Sequence, residues 1–131
     1  GYGNARGNVT LDYTFVPDQG TIPNDDFASR ATLDGARVTG SNIGATGEPN
    51  EPNHGLLAAP LASVWWEWTA PTSGFVSFDT AGSNFDTVLG IYSGDRLDSL
   101  RLLGFSDDAN GRTSHVGLGV VAGQRYQVVV D

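Results

Sequence analysis

The chain has 131 residues, a formal net charge of −8 and an isoelectric point near 4.4. Its length is typical of one domain with a substantial core, and its acidity argues against nucleic acid or an anionic membrane as a partner. Cysteine is absent, which excludes disulfides and thiol chemistry. The 18 glycines and the short apolar runs favour an all-β fold, and no apolar run is long enough to predict membrane insertion.

The first predicted strand covers residues 9–15, where apolar and polar side chains alternate. One face carries Val9, Leu11, Tyr13 and Phe15, and the other carries Thr10, Asp12 and Thr14. A connector with two prolines and a glycine follows. We therefore assign residues 1–16 to a strand that completes a preceding or neighbouring unit, residues 17–24 to a linker, and residues 25–131 to the domain itself.

The domain is predicted to consist of short strands separated by turns. Residues 27–33 predict a helical turn or a short strand, and residues 36–41 predict a strand after the Asp34-Gly35 turn. Residues 42–60 form the longest irregular stretch, and such a loop in a compact domain is often functional. Further strands are predicted at residues 63–69, 75–80, 87–92, 97–105 (after a short turn), 115–121 and 125–130. Roughly eight to nine strands at this spacing are typical of an antiparallel β-sandwich of the jelly-roll type.

The two ends of the chain together have the pattern of one hairpin. The sequence ends on a run of valines and Asp131, and it begins with Gly1 followed by the strand at residues 9–15. An Asp-Gly step between alternating apolar runs is a strong hairpin signal. We interpret the Asp131–Gly1 junction as the boundary of one period in a longer array, placed so that residues 1–15 belong structurally to the neighbouring unit.

Six motifs follow one another in a set order between residues 23 and 131. They are Pro-Asn-Asp-Asp-Phe-Ala at 23–28, Gly-Ser-Asn-Ile-Gly-Ala-Thr at 40–46, Glu-Pro-Asn-Glu-Pro-Asn-His at 48–54, Ser-Val-Trp-Trp-Glu-Trp-Thr-Ala-Pro at 63–71, Phe-Asp-Thr-Val-Leu at 85–89 and Gln-Arg-Tyr-Gln-Val-Val-Val-Asp at 124–131. This set resembles the bacterial pre-peptidase C-terminal domain family. The resemblance implies a secreted, non-catalytic jelly-roll sandwich that occurs beside proteases and in surface proteins, often in tandem and often with calcium. In that family a glycine and one more strand usually follow the final Val-Asp, which supports the junction described above.

Acidic residues in the predicted loops are the candidate metal ligands. They are Asp25, Asp26, Glu48, Glu51, Asp86, Asp107 and Asp108. A sandwich can gather its loops at one end, and calcium prefers six to eight oxygen ligands of this kind. The segment at 106–111 only partly imitates an EF-hand loop, and Asp and Asn also serve as ordinary turn formers. The acidic surface could equally serve solubility without any metal.

Aromatic residues offer a second candidate site. Alternation puts Trp66 and Trp68 on one face of their strand and Trp65 on the other, so core packing accounts for at least two of the three. Trp65, together with Tyr92 or Tyr2, is the candidate contact for a glycan. His54 is predicted to be a hydrogen-bonding loop residue, because no catalytic motif accompanies either histidine.

From these observations we predict a non-catalytic extracellular module, secreted or held at a bacterial cell surface. Copies would join head to tail into a fibre or stalk when the strand at 9–15 pairs with a sheet edge of a neighbour and its apolar face fills the neighbour's core groove. Calcium would support the fold. The alternative is a carbohydrate-binding accessory module whose partner is a polysaccharide.

Overall fold

The computed structural model describes residues 22–131, which form seven strands and two short 3-10 turns. The strands are β1 (Ala31–Thr32), β2 (Val64–Thr69), β3 (Gly74–Asp79), β4 (Val88–Ser93), β5 (Arg101–Asp107), β6 (His115–Val120) and β7 (Arg125–Val130). The 3-10 turns lie at Phe27–Ser29 and Leu97–Ser99. The all-β prediction is therefore confirmed, and no helix in the described range is long and apolar enough to cross a membrane.

The strands form two sheets of unequal size. The larger sheet has five strands in the order β1-β2-β7-β4-β5, and the smaller has only β3 and β6. Every pair is antiparallel except β1 with β2, where Ala31 lies opposite Trp66. β7 lies in the middle of the larger sheet and pairs with β2 on one side and β4 on the other. A central position suits its run of valines, which are buried on both faces of the sheet.

The main core lies between the two sheets. Side chains from the larger sheet that face it alternate along their strands, as the pleat requires. They include Leu89, Ile91, Tyr126 and Val128, and they pack against Phe78, Val116 and Val120 of the smaller sheet. Trp66 and Trp68 join this core while staying partly exposed. The predicted direction of these two tryptophans is confirmed.

The opposite face of the larger sheet is also buried. Phe27, Trp65, Tyr92 and Val129 form a second, smaller core there. The ring of Phe27 meets Trp65 edge-on at 5.1 Å, and His54 meets it at 5.6 Å. Phe27 belongs to the first 3-10 turn and His54 to the long loop, so these two segments together cover the outer face of the sheet.

Most strand predictions are confirmed, and one has no ladder among the described residues. Residues 27–33 contain both of the predicted alternatives, a 3-10 turn and then β1. Residues 36–41 form no strand within the described part of the chain, although Gly35 makes the predicted turn with a φ of 78°. Alternation alone does not make a strand, since the ladder needs a partner. The strand predicted at residues 9–15, with Val9, Leu11, Tyr13 and Phe15, lies outside the described residues.

Candidate functional site

An open groove runs between the two sheets, and we call it the interlayer groove. Its volume is about 910 Å³. The floor is apolar and consists of core-facing side chains from both sheets, among them Trp66, Trp68, Val76, Phe78 and Val130. Residues 80–85 line one end, and residues 35–42 line the far side. The groove is thus a part of the main core that the described residues leave uncovered.

The groove is open because the smaller sheet is narrow. Within residues 22–131, β3 pairs only with β6, so the other edge of β3 has no strand beside it. The side chains of β3 keep their alternation, and Val76 and Phe78 point into the groove. Phe75, on the opposite face, is 75% exposed. An apolar floor beside an unpaired strand edge is the geometry that accepts an extended peptide.

The far side of the groove consists of residues 36–41, which we call the wall segment. Every residue of the wall segment is exposed in the described structure, including Val38. A Cβ added at Gly40 would lie 3.5 Å from the ring of Trp66, so the segment passes close over the floor of the groove. Arg37 reaches the end of the groove lined by residues 80–85, because a Cβ added at Gly82 would lie 3.2 Å from its guanidinium.

Three of the predicted metal ligands come together, and we call them the acid triad. Asp86, Asp107 and Asp108 can place carboxylate oxygens within 4.8 Å of one another. Asp107 ends β5 and lies opposite Val88 at the start of β4, so the register of these two strands brings the acids together. Repulsion from Asp86 and Asp107 raises the pKa of Asp108. All three residues are exposed, and their carboxylate oxygens are ligands of the type that calcium accepts.

The other four predicted ligands do not join the triad; within the described residues, no such metal-sized group includes them. Two of them attach the long loop to the segment before β1. Asp25 accepts the backbone N–H of Thr46 at 2.7 Å, and Glu48 accepts that of Phe27 at 2.7 Å. The pKa of Glu48 is raised by burial and by the charges of Asp26, Glu51 and Asp25. The seven predicted ligands therefore do not meet at one place among the described residues: three form the triad, and Asp25, Glu48 and Glu51 accept protein hydrogen bonds elsewhere.

His54 is the centre of a buried polar network that covers Trp65. Its Nδ1 lies 2.9 Å from the hydroxyl of Tyr92, and its Nε2 lies 3.0 Å from Glu51 and 3.3 Å from Ser63. Burial disfavours the Glu51 carboxylate, but hydrogen bonds from His54, Ser63 and the Glu48 N–H outweigh it and lower the pKa of Glu51. The prediction that His54 is a hydrogen-bonding loop residue is confirmed.

This network does not have the geometry of a catalytic relay. A relay needs the acid on one ring nitrogen of the histidine and the nucleophile on the other. Here Glu51 and Ser63 both contact Nε2, and the hydroxyl at Nδ1 belongs to Tyr92. All three side chains are buried, so none of them meets a substrate from solvent. The sequence signal for the network was the Glu51-x-x-His54 spacing next to a buried strand, which indicates a local contact but not its position over the sheet.

The glycan platform predicted at Trp65 and Tyr92 is wrong. Trp65 is 0% exposed and Tyr92 is 1% exposed, so neither ring has a free face for a sugar. Burial raises the pKa of the Tyr92 hydroxyl, which lies beside His54. Gly90 allows the close approach of the cover, since a Cβ there would lie 3.0 Å from both Tyr92 and Val129 and 3.5 Å from His54.

Neither family models, nor curated proteins, nor solved structures match this chain. The resemblance to the pre-peptidase C-terminal family therefore stays a prediction carried by the six motifs.

Proposed function

We propose that this chain is a non-catalytic, extracellular structural and adhesive module whose copies join head to tail by β-strand complementation. The donor is the strand at residues 9–15, and the acceptor is the interlayer groove of a neighbouring copy. The observation that carries the proposal is the groove itself, an apolar space of about 910 Å³ beside the unpaired edge of β3. A donated strand brings the seven described strands to eight, which is within the range proposed for a jelly roll.

The chemistry of donor and acceptor is complementary. The donor presents four apolar side chains on one face, Val9, Leu11, Tyr13 and Phe15. The groove floor offers aromatic and aliphatic surface from Trp66, Trp68 and Val76. Seven residues of extended chain span about 20 Å, and the six residues of β3 offer an edge of similar length. Backbone hydrogen bonds to β3 would supply affinity, and the apolar pockets would set the register.

The strand ends around Asp131 mark one end of the groove. The backbone of Asp131 exchanges two hydrogen bonds with Val88, at 2.9 and 3.0 Å. The hydroxyls of Thr80 and Thr87 lie 2.7 Å apart, so the end of β3, the start of β4 and the end of β7 meet at one end of the groove. A donor strand that enters from this end is preceded by residues 1–8, at most about 28 Å of extended chain, which gives it room to reach the groove from a neighbouring copy.

Calcium at the acid triad is part of the proposal. Repulsion from Asp86 and Asp107 raises the pKa of Asp108, and a divalent cation bound among the three carboxylates would reduce that repulsion. The triad lies where β4 begins and β5 ends, and none of its three residues lines the groove, so calcium would stabilise the unit from outside the acceptor.

Substitutions on the two faces of the donor strand test the proposal. Leu11→Asp puts a charge on the face that enters the groove, whereas Thr10→Asp adds the same charge to the polar face. We expect Leu11→Asp to weaken assembly by about 100-fold, because an unpaired carboxylate in an apolar site costs several kcal/mol. Thr10→Asp should assemble as the unmodified chain does, as measured by light scattering and electron microscopy.

The outcome against the proposal is equally definite. If the full chain stays monomeric at every concentration, or if both variants assemble equally well, strand complementation through residues 9–15 is wrong.

Because the chain has no cysteine, a cross-link between two introduced cysteines gives a second measurement. Two differently tagged chains, one with Thr14→Cys and one with Phe75→Cys, should form a mixed disulfide dimer, whereas Thr14→Cys with Ser99→Cys should not.

A further inference from the structure

We infer that the acceptor is two-sided: the donated strand lies between β3 and the wall segment, residues 36–41, and hydrogen-bonds to both. The inference rests on the proposed function and adds a partner surface to it. Complementation would then add two strands at once, the donor and the wall segment. The smaller sheet would become four-stranded in the order wall segment, donor, β3, β6, and the whole sandwich would have nine strands, the seven described strands plus these two.

The wall segment has the sequence of a strand. Ala36 to Ser41 predicts a strand, but within residues 22–131 it has no ladder. Strand-forming residues without a ladder are expected where the partner strand comes from elsewhere, since pairing is decided by tertiary contacts. The segment begins at the turn around Gly35, where the chain leaves β1 and the larger sheet.

The wall segment also lies where a second partner of the donor is needed. The wall segment lines the far side of the interlayer groove, and β3 lines the near side. Gly40 lies close to the ring of Trp66, and Arg37 lies close to Gly82 just after β3, so the segment stays beside the groove over its length. A strand inserted along β3 would therefore have the wall segment on its other side.

The backbone N–H groups of the wall segment are available to a donated strand. Among the described residues, no backbone N–H of the wall segment donates a bond to another described group. Backbone groups that become buried need partners, and a donated strand bonded to β3 alone would keep one open edge. Pairing with the wall segment satisfies both requirements in one arrangement.

The direction of the donor follows from the end at which it enters. β3 runs from Gly74 to Asp79 and ends where Val88 and Asp131 meet. A strand that enters the groove there runs back along β3 and is antiparallel to it. Thr14 of the donor then lies toward Phe75, and Thr10 lies toward Asp79.

Amide hydrogen exchange on the full chain tests the inference. The chain is compared in its assembled form and as the Leu11→Asp variant, whose own donor strand is disabled. We expect amides in β3 and in the wall segment to exchange at least about 10-fold more slowly in the assembled form, because both gain hydrogen bonds in a buried ladder. The amides of the exposed turn at Leu97–Ser99 serve as an internal control and should not change.

The possible results separate the inference from the proposed function. Protection of β3 without protection of the wall segment overturns the two-sided acceptor and leaves strand complementation standing. Assembly with protection at neither segment overturns the groove as acceptor, and the lack of assembly overturns the proposed function. Protection of both segments in a chain that remains monomeric supports the two-sided acceptor and identifies the donor as the chain's own strand rather than that of a neighbour.

A pair of substitutions in the wall segment gives an independent measurement. Val38→Pro removes a backbone N–H and its hydrogen bond, whereas Val38→Thr keeps the N–H and the branched shape. We expect Val38→Pro to weaken assembly by about tenfold, corresponding to one or two lost hydrogen bonds. Val38→Thr should have little effect. Equal assembly of two folded variants, checked by their thermal unfolding, would overturn the inference.

Discussion

The two faces of the larger sheet differ in how they are closed. The outer face is covered by loops, and its centre, Trp65 with Val129, is 0% exposed. The inner face has a second sheet against it, yet it leaves Trp66 and Trp68 partly exposed along the groove. Loops therefore bury one face of this sheet more completely than the second sheet buries the other, because the second sheet has only two strands.

Adjacent tryptophans offer the sharpest way to separate the two faces. Trp65→Ala removes the fully buried ring that touches Phe27 and His54, so we expect it to lower the free energy of unfolding by about 3–5 kcal/mol. Trp66→Ala removes a partly exposed ring, so its effect on the stability of the unassembled unit should be clearly smaller. Urea denaturation measures both losses.

The effects of the same two variants on assembly should have the opposite order, with Trp66→Ala the more damaging. Trp66 forms part of the groove floor, whereas Trp65 lies on the other face of the sheet. Trp66→Ala should therefore weaken assembly more than its loss of stability explains. If Trp66→Ala lowers stability as much as Trp65→Ala does and leaves assembly unchanged, the inner face is closed as completely as the outer face and the groove is not an acceptor.

The outer cover should also respond to acid through Glu51 and Glu48, which shift in opposite directions. The pKa of Glu51 is lowered from 4.5, so its contribution is complete above that pH and is lost as the pH falls through the lowered value. The pKa of Glu48 is raised from 4.5, so protonation as the pH falls relieves a cost instead. Thermal unfolding between pH 7 and pH 3 measures the sum.

Matched glutamine variants separate these two contributions. Glu51→Gln should lower stability at pH 7 by about 1–3 kcal/mol, because a buried hydrogen-bonded network loses its carboxylate, and it should lose less stability on acidification than the unmodified chain. Glu48→Gln should lose more on acidification. The same acid slope in all three proteins would contradict the assigned shifts.

The acid triad should give the smallest effect, and it tests the calcium proposal. Asp108→Asn removes one of three mutually repelling carboxylates, so without divalent ions its melting temperature should rise slightly. Calcium should raise the melting temperature of the unmodified chain more than that of this variant, because only a site present in the folded state stabilises it. Asp98→Asn, an exposed acid outside the triad, is the control. No response of the unmodified chain to calcium or to chelation would remove the metal from the proposal.

The sequence predicted the regular part of the fold well, because alternation is a local property. β6 alternates, and its inner residues Val116 and Val120 join the main core, whereas β4 and β7 are short apolar runs that are buried on both faces. The wall segment has the same local pattern but no ladder among the described residues, since a ladder depends on a partner that alternation does not specify.

The candidate sites were predicted less well, because they depend on how loops lie in space. Asp86 and Asp107 meet only through the register of β4 with β5, which no local pattern gives. Trp65 was correctly placed on the face away from Trp66, but its burial depends on His54, 11 positions earlier in the chain. Loops can carry buried groups only when their polar atoms find partners, and Glu51, Ser63 and Tyr92 provide them here.

The central position of β7 has a mechanical consequence. β7 carries Asp131 and is hydrogen-bonded along both edges, to β2 and to β4. The bonds of an antiparallel ladder run perpendicular to the strands. Tension along β7 would therefore load both ladders in shear, so that many bonds must break together before the strand slides out. A unit of this design would resist pulling at Asp131 far better than peeling at an edge strand such as β5.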